Sequence, residues 1–134
     1  MTRLMLDSNT CIHILRFQPE HLHRRVRVSA PGEIAISSIV SAELWLGVAA
    51  SRDQARNRAA VIEFLRFVSV LDWPADAARI YGDLRAHLER TGRVIGAMDM
   101  LIAAHALHER ATLITDNLAE FRRVPELKLE NWIR

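Results

Sequence analysis

Four short apolar runs, at residues 4–6, 33–36, 68–71 and 112–115, alternate with longer stretches of helical character, and this alternation constrains the fold most. Runs this short, rich in branched residues and closed by turn or cap residues, predict buried strands. Helix-length connections demand crossovers, which join parallel strands and cover both faces of a sheet. The expected fold class is therefore α/β with a mostly parallel sheet. Residues 127–129 fit a last short edge strand.

The helical stretches carry their own punctuation. Residues 38–50, IVSAELWLGVAA behind Ser38 as a cap, predict a helix of three turns. Residues 52–67 continue as an amphipathic helix, with Ala55, Ala59, Ile62 and Leu65 or Arg66 tracking one side, so the two form a hairpin. Pro74 opens a helix over 75–90 that Thr91-Gly92 stops, and IGAMDMLIAAHAL at 95–107 follows. No repeat or linker interrupts the 134 residues, so one domain over 1–134 is expected.

Composition narrows the class. Hydrophobic residues make up 50% and charged residues 25%, the balance of a folded globular chain. No apolar run approaches the roughly 20 residues that span a bilayer, and no signal peptide is evident, so the expectation is a cytoplasmic protein with no membrane partner. Cys11 is the one cysteine, and the histidines contain no HExxH pair, which argues against a disulfide and against a zinc centre. Basic charge is carried by arginine except for Lys128, with clusters at Arg24, Arg25 and Arg27, at Arg52, Arg56 and Arg58, and at Arg122 and Arg123. Arginine forks phosphate, though a charge run equally marks a solvated face.

Four carboxylates break the apolar pattern. Asp7 and Asp116 each follow a predicted strand, at the carboxyl edge where open parallel sheets bind ligands. Glu43 has Ile39, Val40, Leu46 and Gly47 as its helical neighbours, and Asp99 shares a face with Ile102 and Ala103. Burying a carboxylate costs several kcal/mol unless a partner compensates it. No arginine or lysine alternates with these four, so a divalent cation on oxygen ligands, Mg²⁺ or Mn²⁺, fits the pattern. Such an ion serves phosphodiester cleavage without a nucleophilic side chain. Each acid alone also has a plain reading: a turn at Asp7 or Asp116, a solvated helix position at Glu43, a first-turn charge favourable to the helix dipole at Asp99.

MLDSNTCI near the start, SSIVSAELWLG, IGAMDMLIAAHAL and LITDNLAEFRRVPELKLENW at the end occur in an order and spacing that resembles the PIN-domain ribonuclease toxins of the VapC type, from about Met5 to Trp132. The resemblance implies a three-layer α/β/α sandwich on a sheet of about four to five strands, and a Mg²⁺-dependent endoribonuclease of a type II toxin–antitoxin system, with Mn²⁺ able to substitute. Asp7, Glu43 and Asp99 match the family's first three acids. Asp7 and Asp99 would be the principal metal ligands, Glu43 would hold a bound water or a second ion, and Ser8 or Asn9 would brace the loop. The fourth acid falls at Asp116 or one place on at Asn117, and Ala97 stands where many relatives have proline. The resemblance further implies an RNA substrate, a VapB-like antitoxin and a homodimer. A groove beside helices 38–50 and 52–67, offering Trp45 and Leu46, would take the antitoxin peptide, while Trp45 fits plain core as well.

Two rival readings remain at this level. One is a catalytically silent module of the same fold that binds RNA or a protein. The other is a phosphoryl-transfer domain, which needs a lysine late in the sheet, and Lys128 stands too near the end of the sequence for that place.

Overall fold

The computed structural model describes residues 3–16 and 19–133. Five strands build one sheet: β1 (Leu4–Leu6), β2 (Ile34–Ser37), β3 (Ser69–Leu71), β4 (Thr112–Ile114) and β5 (Lys128–Glu130). Their order is β3-β2-β1-β4-β5 and every pairing is parallel, so the expected mostly parallel sheet is wholly parallel. Met5, Leu6, Ile34, Ala35, Ile36, Leu113 and Ile114, from the three inner strands, are at most 1% exposed. Edge strands β3 and β5 are only partly covered, which is why their runs are the less apolar ones.

Seven helices connect the strands among the described residues: α1 (Ser8–Leu15), α2 (Glu20–Arg27), α3 (Ser38–Ala49), α4 (Gln54–Leu65), α5 (Ala77–Arg90), α6 (Ala97–Glu109) and α7 (Leu118–Phe121). From β1 the chain steps outward to β2 and β3, then returns to β4 on the other side of β1 and on to β5. Right-handed crossovers then place α1 to α4 on one face and α5 to α7 on the other. The reversal of direction falls between β1 and β4. Crevices form at such switch points, outside the carboxyl ends of the strands.

Two expectations are corrected, and three helices are added. Ser37, not Ser38, caps α3 by accepting from Ile39 N–H, because Ser37 ends the strand in extended geometry. In α4 the buried residues are Val61 and Phe64, whereas Ile62 is 51% exposed, so the helix is rotated from the side traced through Ala55, Ala59 and Ile62. Helices α1, α2 and α7 are not foreseen from the sequence, being no longer than eight residues each. Asp7 caps α1 through Thr10 N–H, and α2 buries only Leu22 and Val26, four residues apart. Arg25 on α2 stacks its guanidinium 3.6 Å over the Trp132 ring, and the His21 ring bonds Trp132 O, which fastens the chain beyond β5 to this helix.

The end of α5 is as punctuated as Thr91-Gly92 promised. Gly92 sits at φ +66 and donates to Glu89 O, and Arg93 donates to Leu88 O at 2.8 Å, the paired bonds of a Schellman turn. Nothing crowds Gly92, so the cost of a side chain there is conformational. Gly92→Ala is expected to lower stability by about 1 kcal/mol in urea melts. No helix among the described residues is long and apolar enough to cross a membrane.

Candidate active site

Asp7 stands between β1 and α1, at the switch point. Its amide donates to Ile114 O, its Oδ1 accepts from Thr10 N–H at 2.9 Å, and it is 3% exposed. Burial pushes the carboxyl up from its ordinary value, against hydrogen bonds from Thr115 and Thr10 that favour the ion. The sequence pattern placed Asp7 after a strand. Its double duty as ligand candidate and helix cap follows from the strand–helix junction having no intervening loop.

Ser8, one residue on, donates its hydroxyl to Glu43 Oε1. Glu43 lies midway along α3, and this bond turns it toward Asp7 instead of solvent. Asp99 lies in the first turn of α6, behind the cap residue Gly96, which offers no side-chain bond. With no Cβ at Gly96 the Asp99 carboxylate folds back over it, its Oδ2 3.4 Å from where a Cβ would stand. Burial, then the charges of Asp7, Glu120 and Glu43, push the Asp99 carboxyl up to about 6. A first-turn acid stabilised simply by the helix dipole would move the other way.

Two bridges hold the acid-bearing helices α3 and α6 together. Ser37 Oγ is 2.8 Å from Nδ1 of the buried His105 on α6. Trp73 donates its backbone N–H to Ser38 Oγ and its Nε1–H to Leu101 O at 2.9 Å, so one residue spans both helices. Trp73→Phe keeps the ring and the first bond but loses the second, with an expected cost of about 1 kcal/mol read from chemical denaturation.

Asp7, Ser8, Asn9, Ile12, Glu43, Asp99, Asp116 and Asn117 line one open cleft of about 480 Å³. All four acids singled out from the sequence, and the three polar residues expected to support them, are thus gathered in one place. Among the described residues, no arginine or lysine lines the cleft. Among the described residues, no three His, Cys, Asp or Glu groups close into a finished metal-ligand set. The donors are nonetheless all oxygen, and crowded negative charge already raises one of them, which is the chemistry a hard divalent ion compensates. The residues fit such an ion.

Sequence reasoning missed Glu120. It lies on α7, partly buried, and ranks with Asp7 and Glu43 among the charges that raise Asp99, where Asp116 does not. The available signal was Asn117 followed by Glu120 three residues on, a spacing that opens helices. A second groove, of about 490 Å³, runs out of the cleft and shares Ser8, Ile12 and Glu43 with it. Leu46, Gly47, Ala60 and Val61 line its far part. Leu46 is 68% exposed there, whereas Trp45 packs against the core, as its plain reading held.

Comparison with known proteins agrees with this architecture. The PIN domain profile matches residues 4–127. The chain is 43% identical to ribonuclease VapC2 of Rickettsia felis over 129 residues, covering 96% of each sequence. It is 39% identical to the tRNA(fMet)-specific endonuclease VapC of Salmonella typhimurium, covering 98% of this chain and 99% of that one. The fold superposes on the crystal structure of DNA-bound VapBC from Salmonella typhimurium with a TM-score of 0.92, at 39% identity and over 98% of this chain and 99% of that one. With a matching profile over most of its length and relatives this similar end to end, the chain belongs to the PIN-domain family, among the VapC proteins.

Proposed function

We propose that this protein is a Mg²⁺-dependent endoribonuclease, the toxin of a VapBC-type toxin–antitoxin pair. The observation that carries the reading is the single cleft at the sheet's switch point that holds Asp7, Glu43, Asp99 and Asp116, with no arginine or lysine among the described residues that line it. Asp7 and Asp99 would hold the ion, on the side where burial and then the neighbouring charges raise the Asp99 carboxyl. What a bound Mg²⁺ or Mn²⁺ supplies is charge neutralisation at the phosphoryl group and acidification of a water. The protein supplies orientation. Ser8 holds one oxygen of Glu43, and Glu43 lines the cleft, where its carboxylate would accept a proton from an attacking water. Thr10 and Thr115 hold Asp7 in one rotamer, so its ligand geometry exists before substrate arrives. Glu120 adds a further negative charge that acts on Asp99.

RNA is the substrate in this reading, and transfer RNA is the first class to test, since a relative 39% identical is named for it. A VapB-like antitoxin is the partner, because the superposed relative is a VapBC complex. The groove past Leu46 is its seat, and a homodimer is the expected assembly.

Purified protein incubated with transfer RNA and with total RNA is expected to cut at defined sites in Mn²⁺ or Mg²⁺ and to stop on chelation, with end-mapping identifying the target. Cleavage that persists in chelator would overturn the metal-dependent reading. RNA that is bound but never cut would favour the silent module.

A further inference from the structure

The carboxylate of Asp116 is held differently from the other three in the cleft. Its Oδ1 accepts from Asn9 Nδ2 at 2.8 Å, and its Oδ2 lies 3.8 Å from His13 Nε2. Asn9 and His13 are four residues apart on α1, so one side of that helix reaches both oxygens. The neighbouring residues do related work in the same direction. Ile114 O accepts from the Asp7 amide and from the Thr10 hydroxyl, and Thr115 bonds the Asp7 carboxylate. Three consecutive residues leaving β4 therefore each grip the start of α1, and Asp116 is the outermost grip.

Both oxygens of Asp116 are thus turned toward side chains of α1, one at hydrogen-bond distance from Asn9 and one beside the imidazole of His13. The charge of Asp116 is felt at Asp7, at the head of α1, and is not among those that raise Asp99. Accepting the divalent-ion nuclease reading above, we propose that Asp116 is a positioning residue that straps α1 to the end of β4, and so fixes Asp7 at the head of that helix, without itself ligating the ion. Asn9 is its working partner.

The test is calorimetric titration of the full-length protein with Mn²⁺, alongside cleavage kinetics. Asp116→Asn keeps an acceptor for Asn9 but removes the charge. Its Mn²⁺ affinity is expected within about threefold of the wild type, whereas Asp99→Asn loses about tenfold or more. Asn9→Ala and Asp116→Ala break the same contact from opposite ends. Each is expected to lower kcat by about tenfold, with KM for RNA little changed, and the double variant is expected to be no worse than the poorer single one, as for two halves of one interaction. An Asp116→Asn protein that loses Mn²⁺ affinity as Asp99→Asn does makes Asp116 a ligand and overturns the proposal. Additive losses in the alanine pair overturn it too. A wild-type protein that takes up no Mn²⁺ overturns the nuclease reading itself, a result distinct from either.

Discussion

Replacing Asp99 with asparagine is expected to lower RNA cleavage by about a hundredfold or more, the scale of losing one group that stabilises developing charge, while making the metal-free protein more stable at pH 7. The two effects have one origin. The Asp99 carboxyl is raised from 3.8 to about 6 because folding buries it near Asp7, Glu120 and Glu43. An acid whose pKa is higher folded than unfolded holds its proton more tightly in the native state. Stability therefore falls as pH rises from about 3.8 to about 6, and the whole penalty is present above that window. Asparagine carries no such penalty, so the gain over wild type should appear at pH 7 and vanish below about pH 4 in paired thermal melts. Added Mn²⁺ should raise the wild-type melting temperature, through binding to the native state alone, and leave the variant nearly unmoved. Equal melting temperatures at both pH values, or equal responses to Mn²⁺, would separate Asp99 from any ion site.

That penalty is also why the site could be read from the sequence as far as it was. Carboxylates at Asp7, Glu43 and Asp99 occupy places where apolar residues belong, and a chain that keeps them there declares a site before any geometry is known. The strands were legible for a related reason: β1, β2 and β4 are buried on both faces, so their residues are mostly apolar. What escaped was whatever short-range pattern does not encode. Helix α7 spans four residues, too few for a periodicity, and with it went Glu120. In α4 a solvent-facing Ile62 competed with Phe64 for the inner side, and tertiary packing against α1 and α3 settled the rotation. The partners of Asp116 were hidden too, because Asn9 and His13 lie more than 100 residues away in sequence, joined to it only by the β1–β4 pairing.

The same exposure argument makes Leu46→Arg a sharp probe of the partner. Leu46 is a large apolar side chain left 68% exposed on a helix whose other large residues pack inward, and it lines a groove continuous with the acid cleft. A surface leucine contributes little to the fold, so the substitution should change stability by less than about 0.5 kcal/mol. At a seated peptide the outcome differs. An apolar anchor buried at an interface is worth about 2–4 kcal/mol, which is a loss of roughly 30- to 1,000-fold in affinity. Titrating the cognate antitoxin into an RNA-cleavage assay should therefore silence the wild type at concentrations that leave Leu46→Arg cutting. Ile62→Arg is the matched control, since Ile62 is 51% exposed on α4 but lies outside the groove, and inhibition of that variant should be unchanged. Equal inhibition of both variants would move the antitoxin's seat elsewhere, whereas loss confined to Leu46→Arg would tie the control of the toxin to the wall of its own cleft.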